Sequence, residues 1–194
     1  MSKPLTVKAT WNAGWCSLAQ PLPSPNFGPR PADAYIDLVV IHSISLPPGE
    51  FGNGNVARLF TNQLDFETHP YFQSIAGMQV SSHFFITRVG ELWQFVSCDD
   101  RAWHAGVSSY RGRNNCNDDS IGIELEGSDD LPFESEQYQS LVNVVKTLRQ
   151  AYPKIQNHIA GHSDIAPKRK TDPGLYFDWQ LFRQLLSEKT STDL

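Results

Sequence analysis

The residues of this chain best suited to chemistry are a few histidines, two carboxylates and a lysine, set at the ends of short apolar segments. His42 closes the run Asp37-Leu-Val-Val-Ile41, which is rich in β-branched residues and reads as a strand buried on both faces. A side chain at the C-terminal end of such a strand emerges at the sheet edge, where α/β proteins place their clefts. His162 follows a second small apolar segment, Ile159-Ala-Gly161, and Asp172 comes ten positions later. Two imidazoles and one carboxylate make a three-ligand catalytic zinc set that leaves a fourth position for water. No HExxH-type pair is present. Spacing alone therefore favours the plainer reading, in which His42 and His162 cap strand ends and Asp172 opens the Asp-Pro-Gly turn.

A hydrolytic metal site also needs a base and an electrophilic partner. Ile121-Gly-Ile-Glu-Leu-Glu-Gly127 alternates as a strand, with Ile121, Ile123 and Leu125 on one face and Glu124 with Glu126 on the other. Either glutamate could accept the proton of an attacking water. Alternation does not choose between them, and both would also suit a solvated face. Lys170 stands two residues before Asp172 in Pro167-Lys-Arg-Lys-Thr-Asp-Pro-Gly174. There it could stabilise a developing oxyanion, or simply be a solvated loop charge.

The elements that must position these residues read as α/β (α+β). Pro21 to Pro31 is too rich in proline for helix or central strand and reads as an extended lead-in. After the strand ending at His42 the chain turns through Ser45-Leu-Pro-Pro-Gly49, and a short helix is expected over Val56 to Leu64. Ser82 to Ile86 and Leu92 to Val96 flank Arg88-Val-Gly-Glu91 as a β-hairpin. Ser135 to Gln150 carries Tyr138, Leu141, Val142, Val145 and Leu148 at helical spacing, and Pro153 closes it. A last helix should start near Asp178, a good N-cap, with Phe182, Leu185 and Leu186 inward. The sum is a single domain over residues 1–194, a central mixed sheet packed by helices. Residues 1–31 form its lead-in, and the polar tail 187–194 is expected to be flexible.

Composition narrows the partners. A chain of 194 residues can bury one good core and is short for two, and its thirteen Gly and thirteen Pro favour a loop-rich fold over a helical bundle. A net charge of −5 with no basic run argues against a nucleic-acid partner. No apolar run approaches membrane-spanning length, and Met1 to Gln20 has no uninterrupted apolar core of a secretory signal. Cys16, Cys98 and Cys116 are odd in number and lack a CxxC pair, so each reads as a buried thiol in a reducing compartment. Cytoplasmic residence and a monomeric protein are the expectations.

Five blocks then carry a resemblance. Val40-Ile-His-Ser-Ile-Ser-Leu-Pro-Pro-Gly-Glu-Phe51, His69-Pro-Tyr-Phe72, Arg101-Ala-Trp-His-Ala-Gly-Val-Ser-Ser109, Cys116-Asn-Asp-Asp-Ser-Ile-Gly-Ile-Glu-Leu-Glu-Gly127 and Gly161-His-Ser-Asp-Ile-Ala-Pro-Lys-Arg-Lys-Thr-Asp-Pro-Gly174 occur in this order. Together they resemble the AmpD-type 1,6-anhydro-N-acetylmuramoyl-L-alanine amidases, from roughly Gly14 to Phe182. Long blocks in order outweigh any three-residue spacing, and they reverse the reading of the metal.

The resemblance implies the amidase and peptidoglycan-recognition fold with zinc in a surface groove, held by His42, His162 and Asp172. It implies Glu124 as the acid/base residue and Lys170 as the cation that stabilises the tetrahedral intermediate. Trp103 would line the groove beside sugar or stem peptide. His104, which adjoins it, and His83, on a strand, are further candidates for substrate contact, whereas His69 and His158 are taken as structural or exposed. Ser43 follows the first ligand where many relatives carry Asn, so a substrate hydrogen bond would be altered there. Gln79, Ser163 and Lys168 also depart from the common pattern, without touching a ligand. The implied reaction is zinc-dependent hydrolysis of the bond between (1,6-anhydro-)N-acetylmuramic acid and L-alanine in muropeptides during cytoplasmic recycling. The alternatives are a module that binds peptidoglycan fragments without cutting them, and a lytic cell-wall amidase.

Overall fold

The apolar runs pair into one six-stranded mixed sheet, whose order across the sheet is Ile159–Gly161, Leu38–Ile44, Ser120–Glu126, Phe84–Ile86, Leu92–Gln94 and Gln20–Pro21. This computed structural model describes residues 9–188. The strands around Leu38–Ile44 and Ser120–Glu126 are parallel, and only the Phe84–Ile86 and Leu92–Gln94 pair is antiparallel within this sheet. Both faces are covered, which is why the central strands carry near-continuous apolar runs.

On one face Val39, Ile41, Ile121, Ile123 and Leu125 pack beneath the helices Ser135–Ala151 and Trp179–Ser187. The long helix buries Tyr138, Leu141, Val142, Val145 and Leu148, the residues whose spacing predicts it. In the last helix Asp178 Oδ1 accepts the Leu181 N–H at 2.8 Å, and Phe182 is buried with Leu185 and Leu186 packed beside it. The opposite face holds Leu38, Val40, Ala105, Cys116, Ala160 and Ile165, and the polar ends of the same strands rise from it. All three cysteines are buried and unbridged.

Several boundaries differ from expectation for local reasons. The Leu38–Ile44 strand runs past His42, so this histidine sits inside the strand and not at its last residue. The short helix covers Asn55–Phe60 and stops before Leu64. Thr61 Oγ1 caps the Ala57 carbonyl at 2.8 Å, and Asn62 takes a left-handed backbone with φ 56° while bonding Asn26. The hairpin arms shorten to Phe84–Ile86 and Leu92–Gln94. The proline-rich lead-in is knitted into the fold: Gln20–Pro21 pairs with Trp93–Gln94 at the sheet edge, where a proline is tolerated. Phe27–Gly28 pairs with Arg101–Ala102. Of the tail expected to be flexible, all but Ser187 and Glu188 lies outside the described residues, as do residues 1–8 of the lead-in.

Candidate metal centre

Parallel register delivers the chemistry to one edge of the sheet. Glu124 pairs directly with His42 across neighbouring strands, and Gly161 pairs with Ile41, so His162 follows beside His42. Gly161 permits the last approach, because a Cβ there would lie 2.9 Å from Pro173 Cδ. The Ser163 N–H donates to the Asp172 carbonyl at 3.0 Å and fixes the returning loop. As a result His42 Nδ1 lies 2.9 Å from His162 Nδ1 and 3.1 Å from Asp172 Oδ2, and His162 Nδ1 lies 3.0 Å from that same oxygen.

The protons on these groups can be placed. His162 Nε2 faces the Ala105 carbonyl at 3.0 Å, nearer than Arg169 Nη2 at 3.3 Å, and in the tautomer that donates to that carbonyl Nδ1 keeps a bare lone pair toward the cluster. Burial drives the His42 pKa down to about 4, so its imidazole is neutral at neutral pH. The residues therefore present nitrogen lone pairs and a carboxylate oxygen to one point, an arrangement whose mutual repulsion a bound cation relieves. This donor set fits a metal ion.

Beside it, Glu124 is 8% exposed, its Oε1 lies 4.0 Å from His42 Nδ1, and its buried Oε2 has no hydrogen-bond partner. Burial pushes its pKa well above the ordinary glutamate value, the Asp172 charge adds to this, and Lys170 opposes it. Neither strand glutamate lies on a solvated face. Glu126 is spent on structure: its carboxylate accepts the Gly52 N–H at 2.6 Å and the Arg88 N–H at 3.0 Å. Lys170 is exposed and lines the same groove as Glu124, an opening of about 480 Å³.

Ser43 and Trp103 also line this groove. Ser43 Oγ donates to Asp129 at 3.5 Å, and the Trp103 backbone exchanges bonds with Ser81, its N–H reaching Ser81 Oγ at 3.0 Å. One substrate-contact expectation, that for His83, needs correction. His83 is fully buried away from the groove; its Nδ1 accepts the Gly122 N–H at 3.0 Å and its Nε2 donates to the Asp100 carbonyl at 3.1 Å. It is a buried polar group just before the Phe84–Ile86 strand, satisfied by backbone. His104 reaches the groove wall, but its ring nitrogens are engaged inward, with His42 Nε2 at 2.9 Å and Ser120 Oγ at 3.1 Å. His69 caps the short helix Pro70–Ser74, and His158 contacts Arg111 and the Asp37 carbonyl, both as expected.

Sequence reasoning passed over Tyr71, Met78, Asp129 and Arg169 on the groove wall. Tyr71 lies in one of the quoted blocks, but nothing in its spacing ties it to the other residues. Arg169 donates to the Ala105 and Val107 carbonyls at 2.6 and 2.7 Å.

Comparison with known proteins places this geometry. The family model described as N-acetylmuramoyl-L-alanine amidase matches residues 32–175. The chain is 51% identical over 181 residues to the 1,6-anhydro-N-acetylmuramyl-L-alanine amidase AmpD of Citrobacter freundii, covering 93% of this chain and 97% of that protein. A crystal structure of a selenomethionine AmpD derivative superposes with a TM-score of 0.89 at 52% identity, over 92% of this chain and 99% of the other. The Escherichia coli amidase AmiD, solved with the substrate anhydro-N-acetylmuramic acid-L-Ala-D-gamma-Glu-L-Lys, is 30% identical with a TM-score of 0.58, over 91% of this chain and 65% of that one.

Proposed function

This chain belongs to the N-acetylmuramoyl-L-alanine amidase family, and from that premise we propose that it hydrolyses the lactyl amide between 1,6-anhydro-N-acetylmuramic acid and L-alanine in soluble muropeptides. It acts as one zinc-dependent domain over residues 1–194, monomeric and cytoplasmic, in the recycling of wall fragments. Among the described residues no helix is long and apolar enough to cross a membrane, which is compatible with a soluble substrate. The observation that carries the reading is the buried, unpartnered Glu124 oxygen beside two imidazoles and a carboxylate converging in an open groove.

His42, His162 and Asp172 would hold Zn²⁺. When bound, zinc supplies a Lewis acid that lowers the pKa of water toward neutrality and polarises a carbonyl. Glu124 takes the proton of the attacking water. Its burial raises its affinity for that proton, which it then delivers to the alanine nitrogen as the C–N bond breaks. Lys170, exposed on the groove wall, meets the negative charge that develops on the lactyl oxygen. Trp103 offers an aromatic face to the sugar or stem peptide, and the Ser43 hydroxyl a polar contact beside it.

The test is mass spectrometry of N-acetyl-anhydromuramoyl-tripeptide incubated with zinc-quantified protein. Free tripeptide should appear, vanish with a chelator and return with zinc. Asp172→Ala should lose both zinc and activity, whereas Glu124→Ala should keep zinc and lose activity by on the order of 10²–10⁴-fold. Intact substrate despite stoichiometric zinc would point instead to a binding module. Turnover retained in folded, zinc-loaded Glu124→Ala would remove Glu124 from the mechanism.

A further inference from the structure

We infer that His104, the Ala105 carbonyl and Asn117 form a clamp that presets both histidines for metal binding, which makes His104 and Asn117 positioning residues. The inference rests on the zinc reading above and deepens it.

A histidine can ligate through Nδ1 only if that nitrogen is free of hydrogen, and the partner of Nε2 decides this. For His162 the partner is direct: Nε2–H donates to the Ala105 carbonyl at 3.0 Å. For His42 the partner is a relay. The Ser120 hydroxyl donates to the Cys116 carbonyl at 2.5 Å, which can only accept. Ser120 Oγ therefore accepts from His104 Nε2 at 3.1 Å. That leaves His104 Nδ1 without hydrogen, as the acceptor for His42 Nε2–H at 2.9 Å. His42 Nδ1 is consequently bare and faces His162 and Asp172. Each histidine is thus set by a backbone carbonyl, one directly and one through two side chains.

Two independent features hold the clamp in place. Asn117 Oδ1 accepts both the His104 N–H at 3.1 Å and the Ala105 N–H at 2.8 Å, so one amide oxygen seats the segment that serves both histidines. The central strand also gives up a side chain for it. A Cβ on Gly122 would stand 2.5 Å from His104 Cγ, and a glycine in a strand interior is otherwise a loss of stability.

The experiment measures the zinc dissociation constant by chelator competition, with the Co²⁺-substituted absorption spectrum as a second readout of ligand geometry. Wild type is compared with His104→Leu, His104→Asn, Asn117→Ala and Asn117→Asp, with Asp172→Ala as the ligand control. His104→Leu should weaken zinc about 10–100-fold and perturb the Co²⁺ spectrum. His104→Asn, whose amide oxygen can take the place of Nδ1 as acceptor, should recover much of the loss. Asn117→Ala should weaken zinc, and Asn117→Asp, which keeps the acceptor oxygen, should restore it. Wild-type affinity in folded His104→Leu would overturn the clamp. If that variant does not fold, equal affinities for the Asn117→Ala and Asn117→Asp proteins would overturn it in its stead. Wild-type protein that binds no zinc would overturn the metal reading itself, and the clamp with it.

Discussion

Glu124 and Glu126 leave the same face of the same strand, yet one ends without a partner and the other ties backbone N–H groups together. The difference has a measurable consequence in zinc-free protein. Burial raises the Glu124 pKa in the folded state, so between the ordinary glutamate value and the raised one the folded chain binds the extra proton and the unfolded chain does not. The contribution of this group to stability is fully present below the ordinary value and is lost as pH rises through the raised one. Glu124→Gln removes that dependence. Urea unfolding in the presence of a chelator should show the variant gaining on wild type from mildly acidic to neutral pH, and parallel curves would contradict the assignment.

At the scale of elements, the Ser120–Glu126 strand has two jobs along one face. Gly122 leaves room for the His104 ring, and Glu126 fastens the strand to the loop at Gly52 and the hairpin at Arg88. Gly122→Ala should cost about 1–3 kcal/mol through overpacking and weaken zinc at the same time. Glu126→Ala should cost about 1–3 kcal/mol through lost hydrogen bonds and leave zinc affinity unchanged. Unfolding curves paired with zinc titrations of the same proteins separate these outcomes. A loss of zinc in Glu126→Ala would mean that the strand positions the site as one rigid piece.

Across the whole molecule, the N-terminal segment is joined to the far side of the site by Arg30. Its guanidinium donates to the carbonyls of Cys98, Asn117, Asp118 and Ser120 at 2.8–3.2 Å. Two of those residues, Asn117 and Ser120, are the ones whose side chains set His104. Arg30→Ala leaves these carbonyls without their charged donor and should destabilise the protein by about 3 kcal/mol. Thermal unfolding would read this as a fall in Tm, and an unchanged Tm would mean that the lead-in contributes little to the fold.

Much of this architecture is legible in the amino-acid sequence because it is written in short-range patterns. Period-two alternation put Ile121, Ile123 and Leu125 on the core face, helical spacing marked Tyr138 to Leu148, and Asp178 announced its own helix as an N-cap. The ordered blocks brought His42, Glu124, His162, Lys170 and Asp172 together as one candidate site, and the structure gathers these residues at one groove. Other features came only with the tertiary structure. His42 and His162 meet across 120 positions of chain, and the partners of His83, His104, Glu126 and Arg30 also come from other segments of the chain. Alternation assigns a side chain to a face, but only strand register and the carbonyls across the sheet decide which proton it holds and what it touches.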